Sequence, residues 1–193
     1  MKKIILALLL SISIFTLFGC SLTSKNSPTD TVKEFLDKYK KQDSEVLSNL
    51  DDTISSEYTG DNKERYKTLM INQYKNMEYE ITDEIIDGNT ALVTAKITVL
   101  DYSNAIEEAN DYLSKHEEEF KKKSSDETND NNSSIKNNID NEKFLDYKLD
   151  ILENVSDITT NTIEFSLTKE KDGWKMDSLT DTDIEKIHGI YKE

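Results

Sequence analysis

The apolar positions of this chain follow three different rhythms. Residues 4–18 are apolar almost without a break, interrupted only by Ser11, Ser13 and Thr16. From Val32 the spacing becomes helical: Val32, Phe35, Leu36 and Tyr39 fall at i, i+3, i+4, i+7 and share one face. Ser27 as cap, Pro28 at the first helical position and Asp30 as capping-box partner mark the start of that helix, and Lys40 and Lys41 suit its C-terminal end. A second, short helix is expected at 44–50 with Val46, Leu47 and Leu50 inward. Asp61 and Glu64 read as another capping box, opening a helix whose stripe is Tyr66, Leu69, Met70, Tyr74 and Met77.

The period then drops to two. Met77, Tyr79, Ile81 and Ile85 alternate with polar residues, Asp87-Gly88 signals a hairpin turn, and Ala91, Val93, Ala95, Ile97 and Val99 form the inward face of the next strand, with Thr94, Lys96 and Thr98 outward. Helical spacing returns over 103–123 (Ile106, Ala109, Leu113, His116, Phe120). Residues 124–141 hold two isoleucines among Ser, Asn and Asp and are expected to be a disordered loop. Residues 142–154 fit a helix through Phe144, Leu145, Leu149 and Leu152, or a strand through Leu145, Tyr147, Leu149 and Ile151. The weight of Lys, Glu and Leu favours the helix. Strands are expected at 160–169 (Ile163, Phe165, Leu167 inward) and 173–179 (Trp174, Met176), turning at Asp172-Gly173, before a final helix at 182–190 with Ile184, Ile187 and Ile190. Helices first and two hairpins later make an α+β chain, with residues 103–157 as a helical insertion between the hairpins.

The opening run has a different meaning. Lys2 and Lys3 precede it, and it falls short of the roughly 20 residues of a membrane-spanning helix, which suits a secretory signal peptide. It closes on Leu17-Phe18-Gly19-Cys20, which contains the sole cysteine of the chain. These residues resemble the lipobox of bacterial lipoproteins. The resemblance implies cleavage between Gly19 and Cys20 and a diacylglyceryl group on the Cys20 sulfur, and two acyl chains suffice for stable anchoring. A single cysteine also excludes a disulfide within the chain. The expected organisation is a signal peptide at 1–19, a lipidated cysteine and flexible tether at 20–27, and one α+β domain at 28–193.

Charge narrows the partners. The net charge of −15 becomes −17 without the two lysines of residues 1–19. Such a surface argues against nucleic acid and against electrostatic attachment to anionic headgroups, which leaves the lipid on Cys20 to hold the membrane. The mixture of Asn, Lys, Ile and Asp with one proline resembles secreted proteins of low-GC Gram-positive bacteria, and the outer face of the cytoplasmic membrane is the expected location.

The stretch "IEFSLTKEKDGWKMDSL" resembles the last hairpin, and "PTDTVKEFLDKYKKQD" the first helix, of cystatin-like lipoproteins in the nuclear transport factor 2-like superfamily. That resemblance implies a curved antiparallel sheet wrapping helices into a cone, often with a pocket at its wide end, which the 103–157 insertion would cover or fill. Phe35, Tyr39, Tyr66, Tyr79 and Trp174 are the pocket candidates, and Tyr74 faces the same way; such a stripe lines either a core or a pocket. Enzymes of the superfamily usually place Asp, His or Tyr inside the cone, and no position here matches one.

Catalytic and metal chemistry find little to build on. His116 and His188 lack a His or Cys partner at i+3 or i+4 and read as solvated or core-edge residues. Glu117–Glu119 and Asp181, Asp183 and Glu185 read as solvated faces and caps. The run Asp126–Asn137 has asparagine where a calcium loop needs its glycine and its terminal glutamate. No nucleophile elbow, zinc-protease, phosphate-loop or dinucleotide motif occurs. The expectation is therefore a non-enzymatic module without metal or cofactor, binding a small apolar ligand, a peptide or an envelope protein. The alternatives are a structural envelope spacer, or a small isomerase-like enzyme using a pocket acid. The oligomeric state is left open.

Overall fold

The computed structural model describes residues 23–24, 27–57, 59–122 and 139–192. The expected signal peptide at 1–19, Cys20, most of the 124–141 segment and the Asp126–Asn137 run lie outside the described residues. Helix α1 (Pro28–Lys40) opens with the expected capping box: Asp30 N donates to Ser27 Oγ and Ser27 N donates to Asp30 Oδ2, each at 3.1 Å. Val32, Phe35, Leu36 and Tyr39 are all buried. Helix α2 (Ser44–Glu57) runs about two turns past the expected end, because Ile54 continues the Val46–Leu50 stripe at i+4 and is fully buried. Leu47 is only half-buried. Helix α3 (Gly60–Asn76) lacks the expected Asp61/Glu64 capping box. Its N-cap is Thr59, and the Thr59 hydroxyl donates to Glu142 Oε1 (2.7 Å) instead of serving its own helix.

One antiparallel sheet follows, in the order β1-β5-β4-β3-β2. Strands β2 (Glu78–Asp87) and β3 (Thr90–Leu100) form the first hairpin, and β4 (Ile158–Glu170) pairs with β3 along its whole length. Strand β5 (Gly173–Met176) stops at Met176, three residues short of the expected 179. Ala91, Val93, Ala95, Ile97 and Val99 of β3 join Ile163, Phe165, Leu167, Trp174 and Met176 on the buried face, against α1, α2 and α3. Strand β1 (Thr23–Ser24) lies within the segment expected to be a tether and pairs with Lys175 and Trp174 at the sheet edge.

Ile85 departs from the expected inward alternation. A bulge between Ile81 and Asp83 sets one extra residue into β2, and an extra residue exchanges the two faces beyond it. Tyr79 and Ile81 pair with Ile97 and Ala95 on the inner side, but after the bulge Glu84 and Ile86 pair with Val93 and Ala91 there. Ile85 is turned outward beside Leu92 and is 57% exposed. The inward Glu84 then accepts from Thr29 N (2.8 Å), placing a carboxylate on the positive end of α1.

The insertion forms a separate lobe. Helix α4 (Ser103–Lys115) ends at His116 instead of running to 123, a single 3₁₀ turn spans Glu117–Phe120, and α5 (Asn141–Leu152) confirms the helical reading of that ambiguous stretch. Leu69 of α3 packs with Tyr102, Ala105, Leu149 and Leu152, and Ala109, Phe120 and Phe144 make a second small cluster. Helix α6 (Asp181–His188) opens with a Thr180/Asp183 capping box and closes at Gly189, where Gly189 N and Ile190 N return to the Lys186 and Glu185 carbonyls.

Gly189 is held against its neighbours from both sides. Its φ is +71°, and a methyl group there would sit 2.0 Å from the Leu100 carbonyl oxygen and 2.5 Å from Gln73 Nε2. Gly189→Ala combines left-handed backbone strain with overpacking and is expected to destabilise the fold by about 3 kcal/mol in urea unfolding. Gly88→Ala, at φ +59° with open space around it, is the control and should lose only about 1 kcal/mol.

Candidate functional site

The interior where a cone-like fold would keep its pocket is crossed by a column of rings. Phe35 and Tyr39, one turn apart on α1, meet edge to face at 5.4 Å. Phe35 meets Phe165 of β4 at 6.1 Å, Tyr39 meets Tyr74 of α3 at 5.0 Å, and Tyr74 lies 5.7 Å from the His188 ring of α6. All five residues are buried. Edge-to-face contact is the favoured packing of aromatic quadrupoles, so the column ties sheet, α1, α3 and α6 by contact among their own rings.

The other three candidates lie around this column, on three different elements. Trp174 is buried on β5 with Lys169 Nζ 5.6 Å over its ring. Tyr66 is half-buried where the main core meets the insertion lobe. Tyr79 lies at the seam of α1 and β2, where its hydroxyl donates to Asp37 Oδ1 (2.7 Å) and Lys40 Nζ sits 5.6 Å over the ring. Lys41 also bonds Asp37, at 2.7 Å. Lys41 first and Tyr79 second hold the Asp37 carboxyl below its ordinary value, while burial and Asp37 push Tyr79 up to about 12. Acid catalysis needs a carboxyl raised toward neutrality, and Asp37 is moved the other way. Glu185 is raised, by burial and by Asp181, at a half-exposed place on α6.

His188 is neither solvated nor at the core edge. It is buried, with Nε2 3.1 Å from the Tyr74 hydroxyl, and desolvation lowers it to about 4. The ring is neutral at pH 7, and Tyr74 is pushed well above its usual value by the same burial. Beside it, the buried Gln73 amide donates to the Leu100 and His188 carbonyls (2.9 and 3.0 Å) and accepts from Leu100 N (3.1 Å). Both residues carried a signal in the sequence: Ile184, Ile187 and His188 form an i, i+3, i+4 set, as do Met70, Gln73 and Tyr74. His116, at the end of α4, is half-buried. It stacks on Tyr112 at 4.0 Å, and Tyr112 stacks on Tyr147 at 4.6 Å.

Arg65 is the single arginine of the sequence and was not singled out by any motif. It reaches from α3 to three acids on one face of α5. It donates to Glu153 through Nε (2.9 Å) and one terminal nitrogen (2.8 Å), and to Asp150 (2.7 Å) and Asp146 (2.5 Å). The fork shape of guanidinium suits this shared, partly bidentate role, and Arg65 in turn lowers Glu153. The acids fall at i, i+4 and i+7, a spacing that placed them together once 142–154 was read as a helix.

Two outcomes follow. The unfolded chain protonates His188 near its ordinary value of about 6.5, whereas the folded chain holds it neutral down to about 4. Its contribution to stability is complete above about pH 6.5 and is lost as pH falls toward 4, by about 2 kcal/mol between pH 7 and 5. Urea unfolding at those two pH values should show that loss, and His188→Gln should remove it. Arg65→Lys keeps the charge and loses the fork; stability should fall by about 1 kcal/mol, with faster hydrogen exchange confined to α5.

No protein-family model matches the chain, and no curated protein matches it. Among solved structures it is similar to a candidate lipoprotein, YcdA, from Bacillus subtilis, at 15% identity and a TM-score of 0.40. The match covers 89% of this chain and 49% of that one, so this chain spans about half the length of that neighbour.

Proposed function

We propose that this protein is an extracytoplasmic lipoprotein, anchored through Cys20 to the outer face of a Gram-positive cytoplasmic membrane, whose α+β domain works without catalysis as a protein-interaction module. The anchoring reading rests on the charged start, short apolar run and "LFGC" exit. Among the described residues no helix is long and apolar enough to cross a membrane. The choice of a protein or peptide partner over a small ligand is carried by one observation: Phe165, Phe35, Tyr39, Tyr74 and His188 occupy the interior with their own rings. The capped first helix and the Asp-Gly hairpin ending in Trp174 and Lys175 support a cystatin-like, nuclear transport factor 2-like domain. Fold alone assigns no partner.

Cells fed an alkyne fatty acid should label the full chain, and Cys20→Ser should abolish both the label and recovery in the membrane fraction; an unlabelled wild type rejects the anchor. Native mass spectrometry of residues 21–193 should give the mass of the polypeptide alone. A retained small molecule would return the reading to ligand binding.

A further inference from the structure

Thr23 and Ser24 pair through their backbones with Lys175 and Trp174 on β5. Three peptide units separate Thr23 from Cys20, a covalent reach of about 11 Å. We propose that this pairing sets how the domain stands on the bilayer: the β1–β5 edge and the β4–β5 turn rest against phospholipid headgroups, and the β2 edge faces away. The inference rests on the lipidation of Cys20 proposed above. An acyl-bearing Cys20 lies at headgroup level, so a strand beginning three residues later holds its sheet edge within about 11 Å of that level. A tether without the pairing would let the domain turn freely.

The charges fit one orientation and oppose the reverse. Strand β2 carries Glu78, Glu80, Asp83, Glu84 and Asp87 and no basic residue. Residues 168–177, in a strongly acidic chain, balance Lys169, Lys171 and Lys175 against Glu170, Asp172 and Asp177. Lys171 is exposed at the turn, Lys169 lies over Trp174, and Lys175 pairs with Glu170 at 3.3 Å. Four inter-strand spacings set β2 about 19 Å from β1. That is about two Debye lengths at physiological salt. The acidic edge is thus screened from an anionic surface when β1 is down and pressed into it when the domain is inverted.

The test uses the full lipidated chain in vesicles of phosphatidylcholine and phosphatidylglycerol containing headgroup-nitroxide lipid. The thioether on Cys20 leaves an introduced cysteine as the sole thiol for a fluorophore. Lys171→Cys and Asp177→Cys should be quenched at least threefold more than Glu80→Cys and Asp83→Cys. Equal or reversed quenching in protein that floats with the vesicles overturns the orientation and leaves the anchor standing. Protein that does not float removes the anchor and the orientation together. A ten-residue Gly/Ser insert after Ser21 should equalise the four positions; a bias that survives it overturns the role of the pairing.

Discussion

The Gln73 amide is the constraint on which the joining of helices to sheet depends. Strand β3 ends at Leu100 and α6 ends at His188, and each leaves backbone groups in need of a partner. Gln73 satisfies three of them from one side chain: the Leu100 N–H and the carbonyls of Leu100 and His188. A buried polar group without a partner costs about 1–3 kcal/mol, so removing this amide exposes several such penalties at once. The geometry it fixes is tight enough that residue 189 has no room for a side chain, and the Gly189 carbonyl accepts from Tyr102 N (2.7 Å) to start the insertion lobe. The terminal helix, the end of the central strand and the start of the insertion are therefore set by one residue of α3.

Around this polar lock the cohesion is apolar. The aromatic column joins the sheet to three helices, and a neutral histidine terminates it. Because His188 is uncharged and its ring is bonded to Tyr74, it behaves as a shape-filling residue held by a directional contact. The insertion is held differently. Its clusters are small, and its outer side is fastened to α3 by Arg65 and by Thr59 and Asn62 on Glu142. Exposed ionic contacts are individually weak.

The helices and strands were legible because their apolar periods are long and uninterrupted. Phe35, Ile97 and Phe165 sit where a period of 3.6 or 2 puts them. Ile85 was not legible, since a bulge changes phase without changing composition, and nothing in "EYEITDEIID" marks Thr82 as an extra residue. The Asp61/Glu64 pattern misled because the helix starts at Gly60, which puts Asp61 inside the first turn instead of at the cap. The candidate site was only partly readable. Inward orientation identified Phe35 and Tyr39, but it does not distinguish a ring that lines a space from one that fills it. That difference depends on Tyr74 and His188 arriving from two other elements. Gln73 and His188 stand at apolar-face positions, and a polar side chain on such a face is often the one that bonds the backbone, as Gln73 does here.

The bulge in β2 has one more effect. An open strand edge is a template for pairing with another copy. Here the open edge loses its side-chain phase midway along its length and carries five carboxylates. A second β2 laid against it would set acid opposite acid on one stretch and slip out of register on the next. The extra residue that turns Ile85 outward and delivers Glu84 to α1 thereby also makes the open edge a poor template for a second copy.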